Sequence, residues 1–259
     1  MGKKKLGFTM IEVALFLVIT GALFVGIAVG TQNSIFQQRY NDAVHNFAEF
    51  LRTMYSQTMN VQSEGNGKTE MAIYGKLVSF GETEDLAGEP IENTDAVYSY
   101  NVIGDISLAS GKILDVLEAD ANVNVVRKNG DEYQPVGLVE DYKPRWASAI
   151  QNTNSTESFK GALLIVRHPA SGTVYTFVYK GETLDVNKGI RQANQNGTVD
   201  YNPLKKVIDS FKDEAVDFCV NPNGVNEGGI RRDIRIIKGA RNGSGVEIIG
   251  DEENRCERL

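Results

Sequence analysis

Three sets of residues in this chain have the types and spacing to do chemistry. Glu12 is a lone carboxylate near the start of an apolar run, residues 8–30, which follows Lys3, Lys4, Lys5, Leu6 and Gly7. A carboxylate in a lipid-facing helix costs about 2.5–3.5 kcal/mol at the bilayer centre and less near an end, so Glu12 calls for shallow placement or a cationic partner. Cys219 and Cys256 are the only cysteines. They either stay free thiols or close a loop between them, a bridge that stabilises by roughly 4 kcal/mol in the chain-entropy model. Arg231, Arg232, Arg235, Lys238 and Arg241 crowd around Asp233. That patch could meet phosphates with a steep salt dependence, or it could be a solvated strand face in which alternation lines up Arg231, Asp233 and Arg235 for cross-strand ion pairs.

The elements that must position these groups follow from periodicity. Coiled at about 1.5 Å per residue, residues 8–30 span roughly 34 Å, a little more than the hydrocarbon core of a bilayer. No A-x-A-like site ends the run, so it reads as a retained span rather than a cleaved secretory signal. The three lysines place the N-terminus in the cytoplasm and the rest outside. Gly26 and Gly30 form a G-x-x-x-G pair, which permits close helix approach but also arises by chance in a span rich in small residues. Beyond it, Phe36, Tyr40, Val44, Phe47, Leu51, Tyr55 and Met59 recur at three or four residues, which predicts an amphipathic continuation over 31–62, stopped near Glu64-Gly65-Asn66-Gly67.

The remainder, 63–259, reads as a β-rich head. Strands are expected at 71–80, 97–103, 123–128, 162–167, 173–179, 215–220, 230–237 and 246–249, with a hairpin turning at 168–172 and a short helix at 204–211. The polar run 151–158 and the acidic run GETEDLAGEPIENTD, 81–95, are expected to be exposed loops. The acidic run lacks the alternating ligand spacing of a calcium loop, and no metal or cofactor is expected. The fold class is therefore α+β, a long N-terminal helix packed on a mainly antiparallel sheet.

Composition places the chain among ordinary globular proteins, with 41% hydrophobic and 24% charged residues. The net charge of −7 opposes general binding to polyanions, so a nucleic acid would need a local patch. There is no G-x-S-x-G, no phosphate loop and no Cys/His metal spacing, and the two histidines are His45 and His168. The reading is not that of an enzyme.

Basic residues, then Gly7, then Phe8-Thr9-Met10-Ile11-Glu12-Val13 and an unbroken apolar run resemble the leader of type IV prepilins and pseudopilins. The resemblance implies a leader at 1–7, cut between Gly7 and Phe8 by a membrane prepilin peptidase that then N-methylates Phe8. It implies that Glu12 pairs with the Phe8 amine of a neighbouring subunit. It also implies partners: other pilins or pseudopilins, membrane lipid, and a platform protein with its ATPase. Val29 stands where many major pilins carry proline, which points to a minor pilin or pseudopilin. In this family a C-terminal disulfide is common, which Cys219 and Cys256 would form. Residues 217–248 are similar to the endings of H-type pseudopilins of type II secretion and of FimT-like minor pilins. Some of the latter bind DNA through Gly-Arg-x-Arg, a motif that Gly239-Ala240-Arg241-Asn242 does not reproduce. The DNA-binding alternative would therefore rest on Arg231, Arg235, Lys238 and Arg241.

Overall fold

The computed structural model describes residues 9–60, 71–85, 87–91, 96–105, 123–153, 155, 157–168, 171–205, 207–221, 231–250, 255 and 256. The chain divides into two compact units, Met1–Asp42 and Ala43–Leu259. Helix α1, Met10–Met59, contributes to both.

In the first unit α1 buries nothing. No described side chain between Thr9 and Asp42 is buried, and only Thr20 and Tyr40 are half-buried. Its most apolar 18-residue window has a mean hydropathy of 2.6, so α1 is long and apolar enough to cross a membrane. Two threonine hydroxyls in this stretch are satisfied within the helix: Thr20 Oγ1 donates to the Phe16 carbonyl at 2.8 Å and Thr31 Oγ1 to that of Ile27 at 2.9 Å. An apolar medium therefore meets no open hydroxyl donor at either threonine.

In the second unit the same helix becomes one-sided. Ala43, Val44, Phe47, Ala48, Leu51, Met54 and Tyr55 are all at most 2% exposed, the three- and four-residue spacing of a core-facing stripe. This stripe lies on a five-stranded antiparallel sheet. Its strands are β1 (Met71–Phe80), β2 (Val97–Asp105), β5 (Glu140–Tyr142), β7 (Gly161–Arg167) and β8 (Val174–Lys180), in the order β5-β2-β1-β7-β8. Strand alternation sorts the two faces. Across the sheet Asn101, Lys76, Ile165 and Thr176 are in register, and Tyr55 Oη lies 2.9 Å from Thr176 Oγ1, which puts α1 over that face. One residue along, Tyr100, Leu77, Leu164 and Phe177 are in register and face the other way. That second face is covered by α2, Val186–Asn196, through Val186, Ile190 and Ala193, together with Leu204 and Phe211.

A second antiparallel sheet has the order β11-β10-β9-β6, with β6 Ala149–Gln151, β9 Val216–Asn221, β10 Arg232–Ile236 and β11 Val246–Ile248. A separate hairpin pairs β3, Val126–Asn129, with β4, Glu132–Pro135. The sheets meet in an aromatic cluster. Phe218 of β9 has ring centroids at 5.6 Å from Phe47, 5.1 Å from Phe80 and 4.8 Å from Phe159. Gly75 sits at a register shift between β1 and β2, where a Cβ would collide with the Ile165 carbonyl oxygen of β7. Only glycine lets β1 and β7 approach there.

The α+β class and the antiparallel sheet agree with the sequence, and several details do not. The helix expected at 204–211 is reduced, among the described residues, to turns and a single 3-10 turn at Ile208–Ser210. The second helix is α2, Val186–Asn196, which ends twelve residues before that turn begins. Residues 60 onward to 70 lie largely outside the described residues, so the expected stop at 64–67 does too; α1 is described to Met59. The run 151–158 is not simply an exposed loop. Gln151 ends β6 and is 5% exposed, and the segment wraps a buried arginine. The acidic run 81–95 likewise has its first carboxylate, Glu82, wholly inside.

Candidate functional site

The start of α1 carries the chemistry that the sequence singled out. Glu12 Oε2 accepts from the Thr9 backbone N–H at 2.8 Å and from Thr9 Oγ1 at 3.1 Å, while the Glu12 N–H donates to Thr9 Oγ1 at 3.3 Å. This is a reciprocal capping box: Thr9 is the N-cap, Glu12 the third helical residue, and each side chain satisfies an otherwise orphaned N–H of the other. The Thr-x-x-Glu spacing was legible in the sequence, and Thr9 is the functional residue that reading for charge alone missed. The arrangement explains how an acidic side chain is tolerated at the edge of an apolar helix. One carboxylate oxygen is fixed by two donors at the positive end of the helix. Gly7 and Phe8 lie outside the described residues. Gly26 and Gly30 have open space where a Cβ would stand, so nothing among the described residues packs on them.

The C-terminal basic residues are distributed quite differently from one another. Arg231 is 2% exposed. Its guanidinium donates to Gln151 Oε1 at 3.3 Å and to the carbonyls of Asn152, Thr153 and Ser155 at 3.3, 3.1 and 2.9 Å. Arg235 Nε donates to Asp217 Oδ1 at 2.5 Å, its cross-strand partner, and Nη2 to Asp233 Oδ2 at 3.4 Å. Lys238 and Arg241 are exposed. The four residues are thus not one open cationic patch: one is a buried strut, one is an ion-pair member, and two are on the surface. The strand face on which Arg231 and Arg235 flank Asp233 is not solvated either, since Asp233 is 0% exposed.

Cys219 of β9 is bonded to Cys256, with Cα atoms 5.6 Å apart, and Cys219 stands directly opposite Asp233 in the β9–β10 register. The clasp brings Arg255 alongside. Arg255 Nη1 donates to Asp217 Oδ2 at 3.2 Å, and its backbone N–H to Asp233 Oδ2 at 3.4 Å. Burial, reinforced by neighbouring Asp217, pushes the Asp233 carboxyl up to about 6 against the opposing pull of Arg255 and Arg235. The cluster has the form of a structural fastening for the C-terminal segment. Among the described residues no group of three or more His, Cys, Asp or Glu side chains could hold a metal ion.

No family model, no curated protein and no solved structure matches this chain.

Proposed function

We propose that the chain is a structural filament subunit, a minor pilin or pseudopilin, that enters a type IV pilus or type II secretion filament through its N-terminal helix. Prepilin peptidase cuts after Gly7 and methylates Phe8. The subunit waits in the membrane with its head outside, and a platform protein and ATPase draw it into the filament. The observation that carries this reading is the capped Glu12 at the head of a helix in which no described side chain is buried before Ala43.

The chemistry follows from that geometry. Thr9 and its N–H lie on the retained side of a Gly7–Phe8 cut, so the capping box survives processing. Among the described residues only Oε2 of Glu12 is engaged. Oε1 is left to accept the ammonium of Phe8 from an adjoining subunit, and in an apolar medium that pairing offsets the desolvation of both charges. The exposed apolar faces of neighbouring helices supply the rest of the contact, with Gly26 and Gly30 allowing close approach.

A nucleic-acid role is disfavoured, because Arg231 and Arg235 are already committed to partners within the head. The test of the assignment is mass spectrometry of the N-terminus in cells that hold a prepilin peptidase. The expected product starts at N-methylated Phe8; a chain that keeps Gly7 and the residues before it would overturn the reading.

A further inference from the structure

The head contains a second carboxylate with an unusual setting. Glu82 lies two residues beyond the end of β1 and is 0% exposed. Its Oε2 accepts the backbone N–H of Asn187 at 3.2 Å, in the first turn of α2, and its Oε1 lies 2.7 Å from Tyr100 Oη of β2. The same phenol oxygen lies 2.8 Å from Asn187 Oδ1. The Asn187 amide is fixed in that orientation, because its Nδ2 donates to the Glu84 carbonyl at 3.1 Å.

Counting protons in this chain leads to a definite protonation state. Tyr100 Oη has one hydrogen and two oxygen neighbours, and Asn187 Oδ1 can only accept. If the phenol donates to Asn187, the contact with Glu82 Oε1 needs a hydrogen from the carboxyl. If the phenol donates to an ionised Glu82, Asn187 Oδ1 loses its donor in a buried setting, which is costly. We infer that Glu82 stands in the folded head as the neutral acid, donating to Tyr100 Oη, and that the Glu82–Tyr100–Asn187 chain is a proton-operated latch holding α2 on the sheet.

The surroundings favour the neutral form on balance, burial outweighing the hydrogen bonds from Tyr100, Asn187 and Ser79 that pull the other way. At the end of β1 Ser79 donates to the Leu184 carbonyl, and on the segment that follows Thr83 donates to Asp185, while Glu84 is engaged by Arg191 of α2. Asp185, just before α2, adds a repelling negative charge, and burial is the dominant influence; together they push the Glu82 carboxyl up to about 7. Tyr98 and Tyr100 of β2 and Tyr201 beyond α2 are all raised, with Glu82 among the causes, so none of them supplies a charge that would hold Glu82 ionised. Ionisation would put a second anion beside Asp185 at the foot of α2, with Asn187 left short of a donor. The helix behind that foot carries Val186, Ile190 and Ala193, so its release would uncover the apolar cluster it shares with Leu204 and Phe211.

The test is hydrogen exchange on the full-length protein in lipid nanodiscs from pH 5 to 8.5, corrected for intrinsic exchange, with wild type and Glu82→Gln measured side by side. Protection of the wild-type α2 amides should fall by about tenfold per pH unit until Glu82 has titrated and then level off. Glu82→Gln, which keeps a donor for Tyr100, should abolish the slope. Infrared spectra at pH 6 should hold a carboxylic-acid C=O band that this variant lacks. Wild-type α2 protection that does not fall between pH 5 and 7 overturns the latch, and it does so without any variant. So does a slope that Glu82→Gln leaves intact.

Discussion

Phe16 and Phe47 lie on one helix, yet Phe16 is 66% exposed and Phe47 is 1% exposed. The same contrast separates Leu17, at 64%, from Leu51, at 0%. Up to Asp42 the chain presents apolar side chains that it makes no attempt to cover, and from Ala43 onward it covers the same residue types with sheet, aromatic rings and a disulfide. Burial of apolar surface is the main favourable term in folding, at roughly 25 cal/mol per Å². A stretch that forgoes it within its own chain leaves that surface for lipid or for other helices. The two carboxylates repeat the lesson: Glu12 is exposed and held by a cap through one oxygen, whereas Glu82 is enclosed and has both oxygens engaged inside the head.

The contrast can be broken from the head side first. Phe218→Ala removes a ring packed on three others and should cost about 5 kcal/mol, the upper end for a buried Phe, while Phe16→Ala should leave the head's thermal transition where it is. Calorimetry of the two variants gives the comparison directly. Next in size is the clasp. Replacing Cys219 and Cys256 by Ser should lower stability by about 4 kcal/mol, read from denaturant midpoints with and without reductant.

The pH effect is smaller and has a fixed sign. Glu82 is raised from 4.5 to about 7, so the folded head binds a proton that the unfolded chain has lost. The stability this group contributes is fully present below pH 4.5, falls as pH rises toward 7, and is constant above. The difference between wild type and Glu82→Gln should therefore change by about 3 kcal/mol over that interval, with the variant gaining as pH rises. Lone Trp146 provides a fluorescence signal for the unfolding curves. The smallest effect belongs to the cap: Thr9→Ala should cost about 1 kcal/mol of local helix stability and Thr9→Ser much less, visible as amide exchange confined to the first turn of α1.

What the sequence disclosed and what it hid have separate physical causes. The apolar span, the stripe from Val44 to Tyr55 and the long strands were legible, because each imposes its own period over eight residues or more. Strands β4, β5 and β6 were not, being three or four residues long and defined by the partner they pair with. Helix α2 had the usual punctuation, with Asp185 before it, Val186, Ile190 and Ala193 on one side, and Gly197 at φ 59° after it. Its many Asn and Gln residues concealed that pattern, since they favour turns in isolation. Of the candidate site, Glu12 stood out as a charge in an apolar run, but its cap partner Thr9 needed the spacing rule. The cross-strand ion pair of Arg235 with Asp217 was among the readings that strand alternation offered, but the burial of Arg231 was not. Whether Arg231 faces water or four acceptors depends on where residues 151–155 fold, which is a tertiary matter.

The most direct measurement is filament incorporation of Glu12→Ala in cells that carry the assembly machinery, with processing at Gly7 and head folding verified on the same samples. The account predicts a variant that is cut, membrane-inserted and folded, yet missing from sheared filaments that contain the wild-type chain. Recovery of Glu12→Ala in those filaments at the wild-type level would contradict it.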